Sequence, residues 1–138
     1  MQRHGARTWY FPDGYLPEKG GPGPLEAHEA LMLLNVTPTP ADVRLDFYFA
    51  DKEPVKDIPV QVPAERIKAL RLDHPEDIGR LELPCLTQYS LRVRSNVPIV
   101  VQFGRADTTQ NNLAYYGCIG YFEDEMSGSP AENIEKEN

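Results

Sequence analysis

The chain contains no apolar run approaching the ~18 residues that a membrane-spanning helix requires. Its start, Met1-Gln2-Arg3-His4-Gly5, carries a basic residue but not the apolar stretch and small-residue cleavage site of a secretory signal. A soluble cytoplasmic protein is therefore expected. Cysteine is scarce: Cys85 and Cys118 lie far apart in apolar surroundings, which fits buried, reduced thiols better than a disulfide framework or a zinc site. Basic clusters are also missing. With 14 Lys and Arg against 21 Asp and Glu the net charge is −7, so binding of nucleic acid by a monomer is disfavoured. An oligomer would have to gather Arg92, Arg94 and Arg105 to form a basic patch. No glycine-rich phosphate loop followed by Lys, no Gly-x-Ser-x-Gly elbow and no Cys-x-x-Cys is present, which points away from an enzyme and from any bound cofactor.

Prolines and glycines are plentiful, 13 and 10, and they divide the sequence into short segments rich in Val, Ile, Leu, Phe and Tyr. That is the pattern of strands and turns. Strands are predicted near residues 7–11, 28–36, 43–50, 58–62, 67–72, 89–94, 99–105 and 114–121. A surface loop is expected at Gly20–Pro24, turns at Asp51–Pro54 and Ser95–Pro98, and a short helical turn within Asp77–Leu83. The clearest alternation places Val43, Leu45, Phe47 and Phe49 on a core face and Arg44, Asp46 and Tyr48 on a wet one. Seven to nine short strands at such spacing argue for an all-β antiparallel β-sandwich over residues 1–122. From Glu123 onward six acidic residues and one lysine leave little to bury, so residues 123–138 are expected to be a disordered acidic tail. The body then carries only −2.

Several polar residues stand out as candidate ligand contacts. His28-Glu29-Ala30-Leu31-Met32 begins like the helical zinc-protease motif but has Met32 where the second histidine must stand, so no metal site is predicted. On a strand His28 and Glu29 point to opposite faces and each needs its own partner. Arg105 and Asp107 share a face and are able to pair, to grip a polyol together, or simply to tie down the loop that follows. Gln102 has the opposite parity unless a bulge at Gly104 re-aims the strand. Tyr48, with the other tyrosines and Trp9, offers an amphipathic ring of the kind a saccharide site uses, although the same residues are ordinary strand formers.

Taken together, certain segments resemble the sensory rhodopsin transducer family. They are Trp9 with Pro12-Asp13-Gly14-Tyr15-Leu16-Pro17, His28-Glu29, Asn35, Tyr48, Asp51-Lys52-Glu53-Pro54-Val55, Val62-Pro63-Ala64, Ser95 to Gln102, and Arg105 with Asp107. The resemblance runs from about Arg7 to Tyr121. It implies a β-sandwich that assembles as a homotetramer and has a likeness to carbohydrate-binding sandwiches, with no enzymatic activity. The sequence departs from the family pattern at Phe103-Gly104, where a histidine and a polar residue are usual, and in its more acidic tail.

The resulting expectation is a non-catalytic protein that binds a small polar molecule or carbohydrate through some of His28, Glu29, Tyr48, Gln102, Arg105 and Asp107. The alternative is a signal-relay protein that docks on a photoreceptor or another protein partner. A sugar-processing enzyme using Glu29 and Asp107 as paired carboxylates is a third reading.

Overall fold

A computed structural model describes residues 4–21 and 23–123. Eight strands form in chain order: β1 Ala6–Tyr15, β2 His28–Asn35, β3 Ala41–Phe49, β4 Val55–Val62, β5 Arg66–Arg71, β6 Gln88–Asp107, β7 Ala114–Cys118 and β8 Tyr121–Glu123. Every pairing is antiparallel. The fold is the all-β sandwich expected from the sequence.

One 20-residue strand, β6, organises the whole molecule. Its first half lies between β3 and β1, giving the order β4-β3-β6-β1-β8. Its second half lies between β2 and β7, giving a second layer in the order β5-β2-β6-β7. The turn predicted at Ser95–Pro98 is therefore wrong: the strand runs straight through it. Pro98 is tolerated because pairing to β3 ends at Ser95 and pairing to β2 begins at Val100, so the missing N–H falls where the neighbours change. Pro59 is likewise accommodated on β4, an edge strand.

The two layers close on one core that includes Leu31, Leu33, Leu45, Phe47, Leu91 and Phe103, all essentially inaccessible to water. Phe11 of the first layer stacks on Phe103 of the second at 5.8 Å between ring centres. The Trp9 indole N–H donates to the carbonyls of Ala6 and Ile99, both at 3.1 Å, and pins the start of β1 to the point where β6 changes layers.

Several local expectations need correction. The segment read as one strand over 114–121 is two, β7 and β8, because the chain leaves the edge of one layer for the edge of the other at Ile119-Gly120. A Cβ at Gly120 would stand 2.6 Å from the Phe11 ring, so that crossing needs glycine. The helical turn is a 3₁₀ turn at Pro75–Asp77 rather than within Asp77–Leu83. Cys85 is exposed and Cys118 half-buried, so neither thiol is the core residue predicted. Of the tail read from residue 123, Glu123 closes β8 against Thr8 and accepts a hydrogen bond from the Tyr10 hydroxyl at 2.9 Å. Residues 124–138 lie outside the described residues.

Candidate ligand-binding site

Strand parity separates the candidate residues into two sites on the second layer and one on the first. Glu29 of β2 stands directly opposite Arg105 of β6, both turned toward the other layer. The Arg105 Nε donates to Glu29 Oε2 at 2.8 Å, and the same oxygen accepts from the Tyr15 backbone N–H at 2.9 Å. Glu29 Oε1 accepts from the Tyr89 hydroxyl at 2.7 Å, bridging the two layers. The rest of the guanidinium is also engaged: Nη1 donates to the Tyr116 hydroxyl and Nη2 to the Asp13 carbonyl at 3.0 Å. The Tyr15 and Tyr116 rings lie 6.0 and 5.0 Å from its carbon. Burial, and after it the Glu29 carboxylate, pushes the Tyr89 phenol far above its ordinary range, so it remains a hydrogen-bond donor at any working pH.

This network is closed, with each charged group facing partners inside the chain. Gly14 is part of it by absence, since a Cβ there would stand 2.3 Å from the Tyr89 ring. Gly14→Ala is therefore expected to push Tyr89 off Glu29 and to lower stability by about 1 to 3 kcal/mol, read as a lower urea midpoint with unchanged slope.

Asp107 does not join Arg105. Its Oδ1 accepts from the backbone N–H and hydroxyl of Thr109 at 2.9 and 2.6 Å, which anchors the following loop. The Thr109 hydroxyl and then its N–H hold the Asp107 carboxyl below its usual range. The sequence left open whether these residues grip a ligand or tie down the loop; Asp107 does the latter. Gln102 points away from Arg105, because the β2–β6 register runs from Ala106 to Val100 without a bulge. Gly104 serves a different need. A Cβ there would stand 2.3 Å from the Tyr115 hydroxyl, so glycine lets that ring lie across the strand.

On the outer face of the second layer, at the rung His28–Ala106–Tyr115, the structure forms a cleft of about 480 Å³. Leu25 and Leu113 wall it beside Tyr115, and Glu26, His28, Arg71 and Thr108 supply its polar groups. Of the six predicted contacts, only His28 lines it. Thr108 and Arg71 carried no motif, and Tyr115 was marked only as one amphipathic ring among the tyrosines; the one further signal was their parity with His28 across neighbouring strands.

Tyr48 belongs to the other layer. Its ring lies 5.7 Å from both the Lys56 ammonium and the Arg92 guanidinium. Beside it Asp46, predicted to face water, is fully buried beneath two arginines. Arg92 Nε and Arg94 Nε donate to Asp46 Oδ2, and Arg94 Nη2 to Oδ1, each at 2.8 Å. The Asp57 N–H adds a fourth bond at 2.9 Å. Burial works to raise the Asp46 pKa, but the hydrogen bonds from Arg94, Asp57 and Arg92 outweigh it and hold the carboxyl at about 2. Among the described residues no three His, Cys, Asp or Glu side chains are grouped to hold a metal ion, and no helix is long and apolar enough to cross a membrane.

Comparison with known proteins places this geometry in context. The family model described as Anabaena sensory rhodopsin transducer matches residues 4–122. Among solved structures, a crystal structure of Thermotoga maritima 1070 is 38% identical, with TM-score 0.77, over 88% of this chain and 97% of that one. The Anabaena sensory rhodopsin transducer is 35% identical, with TM-score 0.61, over 75% of this chain and 91% of that one. Among curated proteins, none matches.

Proposed function

The chain belongs to the Anabaena sensory rhodopsin transducer family, and from that premise we propose that it is a non-catalytic cytoplasmic signalling protein that works as a homotetramer by docking on protein surfaces. The observation that carries this reading is the stretch Tyr116-Gly117-Cys118-Ile119-Gly120-Tyr121-Phe122. It has no charged residue, and it leaves Tyr116, Ile119, Tyr121 and Phe122 between 40% and 98% exposed along β7, β8 and the link between them, both outermost strands among the described residues. An uncharged apolar edge suits a second copy of the same chain, because copies carrying −7 each repel except where the contact itself is neutral.

Two further observations support the reading. Glu29 and Asp107, the carboxylates a sugar-processing enzyme would pair, are each occupied by other groups of the chain. Arg92, Arg94 and Arg105, the arginines a nucleic acid would require, are each bound to a carboxylate. Light scattering is expected to report a tetramer at micromolar concentration. Ile119→Ser combined with Tyr121→Ser, both at exposed positions, is expected to give a smaller species with an unchanged melting temperature. A wild-type monomer overturns the reading.

A second reading, binding of a small polar molecule or carbohydrate, is favoured by the cleft at His28. Its walls combine apolar side chains with several polar groups, as ligand pockets do.

A further inference from the structure

We propose that the cleft at His28, Glu26 and Thr108 is a binding site for a small ring compound bearing a protonated amine. This rests on the second reading above and specifies its ligand.

The polar groups of the cleft present mainly acceptors. His28 Nδ1 lies 2.9 Å from the Glu26 carbonyl oxygen, which is able only to accept, so Nδ1 carries the hydrogen. In the neutral ring Nε2 is then an acceptor. The Glu26 carboxylate stands at the rim, 54% exposed. Thr108 is only 9% exposed, and its hydroxyl is buried with no hydrogen-bond partner among the described residues. Such a group is costly to leave unsatisfied, and Thr108 is one of the residues that line the cleft. An ammonium, with three donors and no acceptor, matches this set.

The local charge agrees. The Arg71 Nε and Nη2 form a two-pronged pair with Asp73, both bonds at 2.8 Å, and the Asp73 side chain is 5% exposed. That carboxylate cancels the guanidinium, and Glu26, 3.7 Å from Arg71 Nη2, leaves the cleft with one excess negative charge. An anionic ligand would have to displace one of these carboxylates. The Tyr115 ring, laid across Gly104, offers a face for stacking or for a cation, and Leu25 and Leu113 cover the apolar side of a ring.

The test titrates the full-length protein with three probes while following the His28 ring resonances, which are assigned by His28→Asn; the chain has only three histidines. Tyramine is expected to saturate and to shift His28. The isosteric anion 4-hydroxyphenylacetate is expected to bind at least roughly tenfold more weakly. Glu26→Gln, at an exposed side chain, is expected to weaken tyramine several-fold without changing the melting temperature. Equal or tighter binding of the anion, or a Glu26→Gln variant that binds tyramine unchanged, overturns the assignment of an ammonium ligand. If maltose shifts His28 and tyramine does not, the ammonium assignment falls while a polar-ligand cleft stands. If none of the three probes shifts His28, both fall.

Discussion

Glu29→Ala is expected to lower stability by about 3 to 5 kcal/mol, the range seen when one partner of a buried ion pair is removed, and so to leave much of the protein unfolded at ordinary temperature. The Glu29 carboxylate is fully buried and accepts from Tyr15 N–H, Tyr89 and Arg105. Without it the Arg105 guanidinium, 13% exposed, keeps only the more distant and exposed Asp13 carboxylate at 3.7 Å, and two neutral donors lose their acceptor. Glu29→Gln preserves the volume but turns one acceptor oxygen into an N–H₂ directed at donors, so a loss of roughly half that size is expected. Urea unfolding followed by tryptophan emission separates these outcomes, because Trp9, the only tryptophan, lies in the core. A loss below about 1 kcal/mol for Glu29→Ala would mean that Arg105 simply swings into solvent, and the network would then not be what joins the layers.

Acid is expected to act through the other buried carboxylate. Asp46 has its pKa lowered from 3.8 to about 2 in the folded protein, so the unfolded chain takes up its proton first as the pH falls. The resulting stabilisation is fully present above pH about 4 and is lost as the pH drops through about 2. At 1.36 kcal/mol per unit it amounts to about 2 kcal/mol. Asp46→Ala is expected to remove more, about 2 to 4 kcal/mol, because it also leaves Arg92 and Arg94 side by side without their shared anion. It should also flatten the stability profile between pH 4 and 2. Melting temperatures of both proteins across that interval provide the measurement. A variant whose acid sensitivity matches wild type would show that Asp46 is not the group being titrated.

The strands were readable wherever a period of two was unbroken. Val43, Leu45 and Phe47 are fully buried as the alternation requires, and His28 and Glu29 do face opposite sides of β2. Reading failed where a local signal met a neighbour remote in the chain. Ser95–Pro98 has turn chemistry, but paired strands on either side hold it extended. Asp46 has the parity of a solvent-facing residue, yet arginines 46 and 48 positions further along cover it. Gly104 suggested a bulge, whereas its lack of a side chain makes room for Tyr115.

The candidate site was legible residue by residue but not as an arrangement. Glu29 and Arg105 were both singled out, and only the register of β2 on β6 shows that they answer each other rather than a ligand. Asp107, on the same face as Arg105, turns instead to Thr109. Thr108 and Arg71 carry no motif, Tyr115 was one amphipathic ring among several, and the three came together only as walls of the cleft.

The sequence by itself determined that this chain is an all-β sandwich, because side-chain alternation and turn residues act over a few positions and need no knowledge of the rest. The tertiary structure alone decided that one long strand serves both layers, that Glu29 meets Arg105 and Tyr89, and that a cleft opens beside His28. Alternation states which side of a strand a residue occupies, but what lies on that side is set by strand neighbours dozens of residues away. Those neighbours are chosen by how the whole core closes.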